Sequence, residues 1–269
     1  MEQQGSLICV GVGMTLGAHL TPRARHAIET AQVLFAAVSD ALVELWLKEL
    51  NPQLISLQSH YADGKSRHVT YREMCEAMLT PVRQGAAVCA AFYGHPGVFA
   101  TVPHTALAQA RAEGFAARME PGISAADCLF ADLGIDPGQW GCQHYEASQF
   151  MFYRRAIDPS AYLILWQVGV AGDRSHRRFT TSAAHLAILR DVLLDWYGAD
   201  HPLIVYEAAT LPIQQPRMQT IRLDALPQTA LSMHSTLVLP PARAVQPCHA
   251  VQQRLAELEQ QLAANIAKL

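Results

Sequence analysis

Residues 86–99 read AAVCAAFYGHPGVF. The unbroken apolar run 86–92 suits a strand covered on both faces, as in a parallel sheet packed between helices. It stops at Tyr93-Gly94-His95-Pro96-Gly97. In open α/β sheets ligands bind beyond the carboxyl ends of the strands, which is where this loop falls. Its two glycines let a ligand approach the backbone, Pro96 stiffens the turn, and Phe99 offers an aromatic wall.

The same alternation of buried run and helix extends outward. On the N-terminal side, residues 7–13 and 32–38 read as strands. A helix opens at Thr21-Pro22, because proline is tolerated at the first helical position. Asp40 caps a helix over 41–50. Thr70 and Glu73 match a T-x-x-E capping box before a helix over 74–82, which puts Tyr71 at the first helical position. Downstream, 104–111 is helical and Gly114 stops it. Ser124 caps 125–133, and Thr181 or Ser182 caps a long helix running to 196. Runs 162–169, 203–207 and 235–239 are further strands. The pattern predicts α/β architecture, two domains with mostly parallel sheets. The divisions fall at 1–116, 117–240 and a tail, 241–269. After Pro240, Pro241 and Pro247 the tail carries one apolar stripe, Val251, Leu255, Leu258, Leu262 and Ile266. That is the face of a helix docked on its own domain or of an arm clasping a subunit or peptide.

Composition narrows the classes. The 269 residues are 51% hydrophobic and 16% charged, enough for a large core in two domains. A net charge of -3 gives no electrostatic footprint for nucleic acid. No apolar run approaches the roughly 20 residues of a membrane span, and the polar start at residues 1–6 has no signal-peptide character. Six cysteines stand at 9, 75, 89, 128, 142 and 248 without a CxxC pair. They read as buried free thiols in a reducing cytoplasm, not as a disulfide framework or zinc module. The twelve histidines form no HxH or HxxxH pair, so no metal site is expected.

Four constellations can carry chemistry. Gly11-Val12-Gly13 ends the first strand, but Leu16 stands where a dinucleotide fingerprint needs its third glycine. The 93–99 loop is the second. Pro121-Gly122-Ile123-Ser124 can present helix N–H groups to a polar ligand. Last, Tyr61, Arg67 and Tyr71 lie together with His60 and His68 beside them. A helix N-terminus and an adjacent arginine would both favour a phenolate at Tyr71.

These pieces occur in a recognisable order: the Gly11–Gly13 turn, YGHPGVF (93–99), PGISAADCLFADLGIDPG (121–138), EASQF (146–150), LWQ (165–167), YEAATLPI (206–213) and Ser235-Thr236-Leu237. Over roughly residues 5–240 the chain resembles the tetrapyrrole-methylase superfamily and, more narrowly, the borosin α-N-methyltransferases, which methylate backbone amides of a peptide. The resemblance implies a homodimer with S-adenosylmethionine in the cleft between two α/β domains. It places cofactor contacts at Tyr93, His95, Val98, Phe99, Ser124, Ala125, Gln167, Ala208, Ser235 and Thr236, and catalysis at Tyr61, Arg67, Tyr71 and Tyr93. Where the family commonly has another tyrosine just before Tyr61, this chain has Gln58, Ser59 and His60. The amphipathic tail suggests the split arrangement, with a separate precursor peptide as substrate and no membrane or nucleic-acid partner. The competing expectations are a tetrapyrrole, diphthamide or ribosomal-RNA methyltransferase of the same superfamily, and a non-enzymatic S-adenosylmethionine-binding module.

Overall fold

The computed structural model describes residues 5–38 and 40–266. The first four residues of the polar N-terminal stretch lie outside the described ones. Two five-stranded sheets organise the chain. The first contains β1 (Ser6–Gly11), β2 (Val33–Ala37), β3 (Leu54–Ser56), β4 (Ala87–Phe92) and β5 (Ala116–Glu120) in the order β3-β2-β4-β1-β5. Every pairing in it is parallel.

The side-chain period of two explains why β4 has no polar face. Val88, Ala90 and Phe92 point into one core with α3 (Arg67–Arg83) and α4 (Thr101–Ala112). Cys89 and Ala91 point into the other, with α1 (Pro22–Thr30) and α2 (Ala41–Leu50). Covered on both faces, the strand is apolar throughout. Burial also raises the Cys89 thiol to about 12, so it is inert at neutral pH. Cys248 departs from the expected burial and is exposed.

β5 pairs with β1, so the first sheet continues through Glu120 and the expected division at 116/117 falls inside a strand. The second sheet contains β6 (Cys142–Glu146), β7 (Tyr162–Trp166), β8 (Pro202–Glu207), β9 (Arg217–Arg222) and β10 (Thr236–Leu239) in the order β6-β7-β10-β8-β9. It departs from the parallel expectation. Only β6 and β7 run parallel, whereas β10 is antiparallel to β7 and β8, and β9 is antiparallel to β8. The short 207–217 connection allows this, since a tight return joins antiparallel strands without a crossover helix. One face of this sheet packs on α7 (Ala147–Phe152) and α8 (Ala183–Leu193), the other on α5 (Ala125–Leu133).

The caps at Thr21, Asp40, Ser124 and Ser182 each accept a backbone N–H as expected. The Thr70/Glu73 box does not form. The helix starts earlier, at Arg67, and Thr70 is buried within it. Glu73 instead pairs with Lys65 and, at 3.4 Å, with His60. Tyr71 therefore sits inside α3, beyond the first turn where the helix dipole acts on a side chain. After the prolines, helix α9 (His249–Ile266) is exposed along its whole length, and its apolar stripe meets nothing else among the described residues. Among the described residues the helix does not pack on its own domain. Among the described residues no helix is long and apolar enough to cross a membrane.

Candidate functional site

Three neighbouring strands of the first sheet end in glycines that touch. Gly11 closes β1, Gly94 follows β4 and Gly122 follows β5, and these strands are neighbours. A Cβ on Gly11 would lie 2.4 Å from the Gly94 carbonyl oxygen and 2.7 Å from Gly122 Cα; one on Gly122 would lie 2.3 Å from the same oxygen. Gly13 and Gly94 exchange backbone hydrogen bonds, Gly13 N to Gly94 O at 3.1 Å and Gly94 N to Gly13 O at 2.8 Å. The Gly-Val-Gly turn is thus one wall of a backbone cradle, with no need of a third glycine at Leu16.

A cavity of about 330 Å³ opens on this cradle. Of the expected cofactor residues, Tyr93, His95, Val98, Phe99, Ser124, Ala125, Gln167, Ala208 and Thr236 line it. Ser235 does not. It is fully buried behind the wall, donating its hydroxyl to Glu207 Oε1 at 2.6 Å and accepting Ser232 N–H at 2.8 Å. His95 shapes its own loop, with Nδ1 accepting Gly97 N–H at 2.8 Å. Ser124 forms a capping box with Asp127, and Ser124, Ala125 and Ala126 at the start of α5 line the cavity. The sequence reading missed Glu207 and Trp166, which also line the cavity. Burial favours a neutral Glu207, but hydrogen bonds from Ser235, Ser232 and Arg217 outweigh it and hold the carboxyl below its usual range. Trp166 stacks on His144, donating to its Nδ1 at 3.1 Å, and its ring lies 5.6 Å from Phe99.

A second cavity of about 710 Å³ adjoins the first. Tyr61, Arg67, Tyr71 and Tyr93 line it together, with residues of both halves. The expected catalytic group is therefore one cluster in space. Phe92, Tyr93, Phe99, Ala100 and Gln167 line both cavities and mark their junction. Phe99 (φ 50) and Gln167 (φ 58) are held in the left-handed region, as is His176 (φ 54). These three are the non-glycine residues with positive φ among the described ones, and all line the second cavity. Such strain concentrates where surrounding structure fixes a functional geometry.

Arg67 does not hold Tyr61 as a phenolate. Burial, then the neighbouring Tyr71 and Tyr93 hydroxyls, push the Tyr61 phenol well above its ordinary value, and the lowering by Arg67 is the weakest influence. Tyr93, half-exposed as a residue, also rises, first through desolvation of its hydroxyl and then through Tyr71. Both are donors at neutral pH. Arg67 is itself engaged: Nη1 donates to Arg178 O at 2.6 Å and Nη2 faces Asp173 Oδ2 at 3.5 Å. Among the described residues no group of three or more histidine, cysteine, aspartate or glutamate side chains is placed to hold a metal.

Fold and site together define a two-sheet α/β protein with paired ligand cavities at the carboxyl ends of its parallel strands. The chain belongs to the tetrapyrrole (corrin/porphyrin) methylases, whose family model matches residues 6–224. It is 40% identical over 258 residues to a methyltransferase/ribosomally synthesized cyclic peptide gymnopeptides precursor of Gymnopus fusipes, covering 94% of this chain and 61% of that protein. A methyltransferase/ribosomally synthesized type I borosin cyclic peptide precursor of Coprinopsis marcescibilis is 39% identical over 244 residues, covering 88% and 62%. The chain thus spans about three-fifths of the length of these curated relatives. The crystal structure of uroporphyrin-III-C-methyltransferase from Thermus thermophilus has the same fold, with a TM-score of 0.61 at 21% identity over 89% of this chain and 93% of that one.

Proposed function

We propose that the chain is an S-adenosylmethionine-dependent methyltransferase that methylates backbone amides of a ribosomal precursor peptide. The observation that carries this reading is the meeting of the glycine cradle with the Tyr61/Arg67/Tyr71 cluster at Tyr93, Phe99 and Gln167. The first cavity fits the cofactor. Gly13 and Gly94 line it with bare backbone, and the ionised Glu207 in its wall suits a ligand bearing positive charge. Tyr93, His95, Val98, Phe99, Ser124, Ala125, Gln167, Ala208 and Thr236 would hold it. When bound there, S-adenosylmethionine supplies an electrophilic methyl group.

The second cavity would take the peptide. An amide nitrogen is a poor nucleophile because its lone pair is delocalised into the carbonyl. The residues must therefore draw charge onto the amide oxygen and remove the N–H proton. Arg67 and the protonated Tyr93 serve the oxygen. Tyr61, kept protonated by burial, orients the amide as a donor, and Tyr71, once it has released its own phenolic proton to solvent, accepts the amide proton. A free phenol titrates near 10, far below an amide N–H, so placement and exclusion of water carry most of the rate.

In this reading the peptide is a separate chain. Among the described residues none after β10 lines either cavity, and that segment breaks at three prolines before continuing as α9. The protein works as a cytoplasmic homodimer with α9 as its arm, since Val251, Leu255, Leu258, Leu262 and Ile266 present one exposed apolar face. A single-chain mass in solution would remove the dimer from this reading.

The test incubates the full chain with S-adenosylmethionine and the short peptide encoded beside its gene, read by tandem mass spectrometry. Methyl groups on backbone amides of that peptide are expected. Cofactor binding without mass gain on the peptide overturns the proposal and turns the search to tetrapyrrole and RNA substrates. Mass gain on the protein itself overturns only the separate-chain arrangement.

A further inference from the structure

Arg67 stands at the first residue of α3, in the first half of the chain, yet its partners come from the second. Its backbone N–H donates to His176 O at 2.9 Å. Its guanidinium reaches Arg178 O and Asp173 Oδ2. Nearby, the His68 ring meets the His176 ring edge-on at 4.5 Å, and Tyr61 meets Phe179 at 6.1 Å. The segment 173–179 thus covers the start of α3 where the tyrosine cluster lies.

Asp173 organises that segment. It is 5% exposed. Oδ1 accepts Ser175 N–H at 2.9 Å and the Ser175 hydroxyl at 2.6 Å, while Oδ2 accepts Arg178 N–H at 3.0 Å. Burial penalises this carboxylate, but the Ser175 and Arg178 hydrogen bonds and the Arg67 charge outweigh it and hold its pKa at about 2. One anionic group therefore fixes a turn in the second half and faces the arginine of the first. A long arginine side chain loses much rotamer freedom when held in one place. A fixed acceptor across the cleft sets that geometry before a ligand arrives.

We propose that Asp173 is the positioning residue for Arg67, using the 173–178 turn as a rigid mount that sets the guanidinium at the wall of the second cavity. The inference rests on the reading that Arg67 serves the peptide amide. Asp173→Asn is the informative change: its oxygen keeps the Ser175 bonds, while its NH2 group replaces Oδ2 and removes both the charge facing Arg67 and the acceptor of the Arg178 N–H.

The variant is examined in the full chain by two readouts. In peptide methylation followed by mass spectrometry, kcat is expected to fall about a hundredfold, as for a misplaced positioning group, with cofactor affinity close to wild type and only a small drop in melting temperature from the lost Arg178 hydrogen bond. In the Arg67→Lys background the same substitution should add little. Multiplying losses would mean that Asp173 acts independently of Arg67, and an unchanged kcat in the single variant would equally overturn the proposal. The second readout does not depend on activity. Side-chain nitrogen NMR, with Arg67 assigned through Arg67→Lys, should show slow guanidinium rotation in the wild type and averaged signals in Asp173→Asn. Identical Arg67 signals in both proteins overturn the proposal. A wild type that methylates no peptide would overturn the functional reading alone, and the NMR comparison would still decide whether Asp173 holds Arg67.

Discussion

Arg67→Lys is expected to slow peptide methylation by about a hundredfold or more, the loss typical of removing one preorganised donor from a developing oxyanion. The reason is geometric. The guanidinium spans two acceptors at once, Arg178 O through Nη1 and Asp173 through Nη2. Its planar fork has five N–H donors, so it satisfies these partners and still faces the cavity. A lysine ammonium is a single point of charge. Placed on Asp173 and Arg178 it is lost to the cavity, and placed in the cavity it leaves a buried carboxylate without its cation. Cofactor affinity should be nearly unchanged, because Arg67 lines the second cavity and not the first. Steady-state methylation beside calorimetric titration of S-adenosylmethionine checks both halves. Full activity in the variant would mean that positive charge alone suffices and that the fork has no role.

Gly122→Ala is expected to abolish cofactor binding and to lower stability by about 1–3 kcal/mol, the usual range for forced overpacking. The new methyl would meet the Gly94 carbonyl oxygen at 2.3 Å and Gly11 Cα at 2.7 Å. All three positions are backbone at the ends of adjacent strands, so no side chain can swing away. Relief requires β4, β1 and β5 to part beside Gly94, which lines the first cavity. Calorimetry and a denaturant midpoint measure the two effects separately. An alanine variant with unchanged affinity would show that the cradle does not shape the cofactor site.

The edges of the sheets explain what the sequence did and did not disclose. The covered strands β1, β2, β4, β7, β8 and β10 all announced themselves as apolar runs. The strands that went unread, β3, β5, β6 and β9, are the edges of the two sheets. An edge strand has one neighbour and an open side, so nothing demands an apolar run. β9, Arg-Met-Gln-Thr-Ile-Arg, contains no fully buried residue. The start of α3 was misread for a different reason. Ser66 makes no side-chain cap bond, and the N–H of Arg67 is taken instead by His176 O from the other half. A helix start fixed by a partner 109 positions away leaves no local motif. The candidate site divided along the same line. Its loops carry distinctive strings, and the residues expected from them line the cavities, apart from Ser235. Asp173 and Glu207 went unread because their significance lies in partners from distant segments.

The joint between the halves is made largely through main-chain acceptors. Arg67 N–H meets His176 O, Leu16 N–H meets Thr210 O at 2.9 Å, and the Thr15 hydroxyl meets Ala209 O at 3.1 Å. A carbonyl oxygen is present whatever side chain its residue carries. Over evolutionary time, residues 209 and 210 are therefore open to replacement without unfastening the halves, whereas residue 176 is also tied by its left-handed backbone and its contact with His68. Side chains at this joint can be rewritten while the register between the two sheets is inherited unchanged.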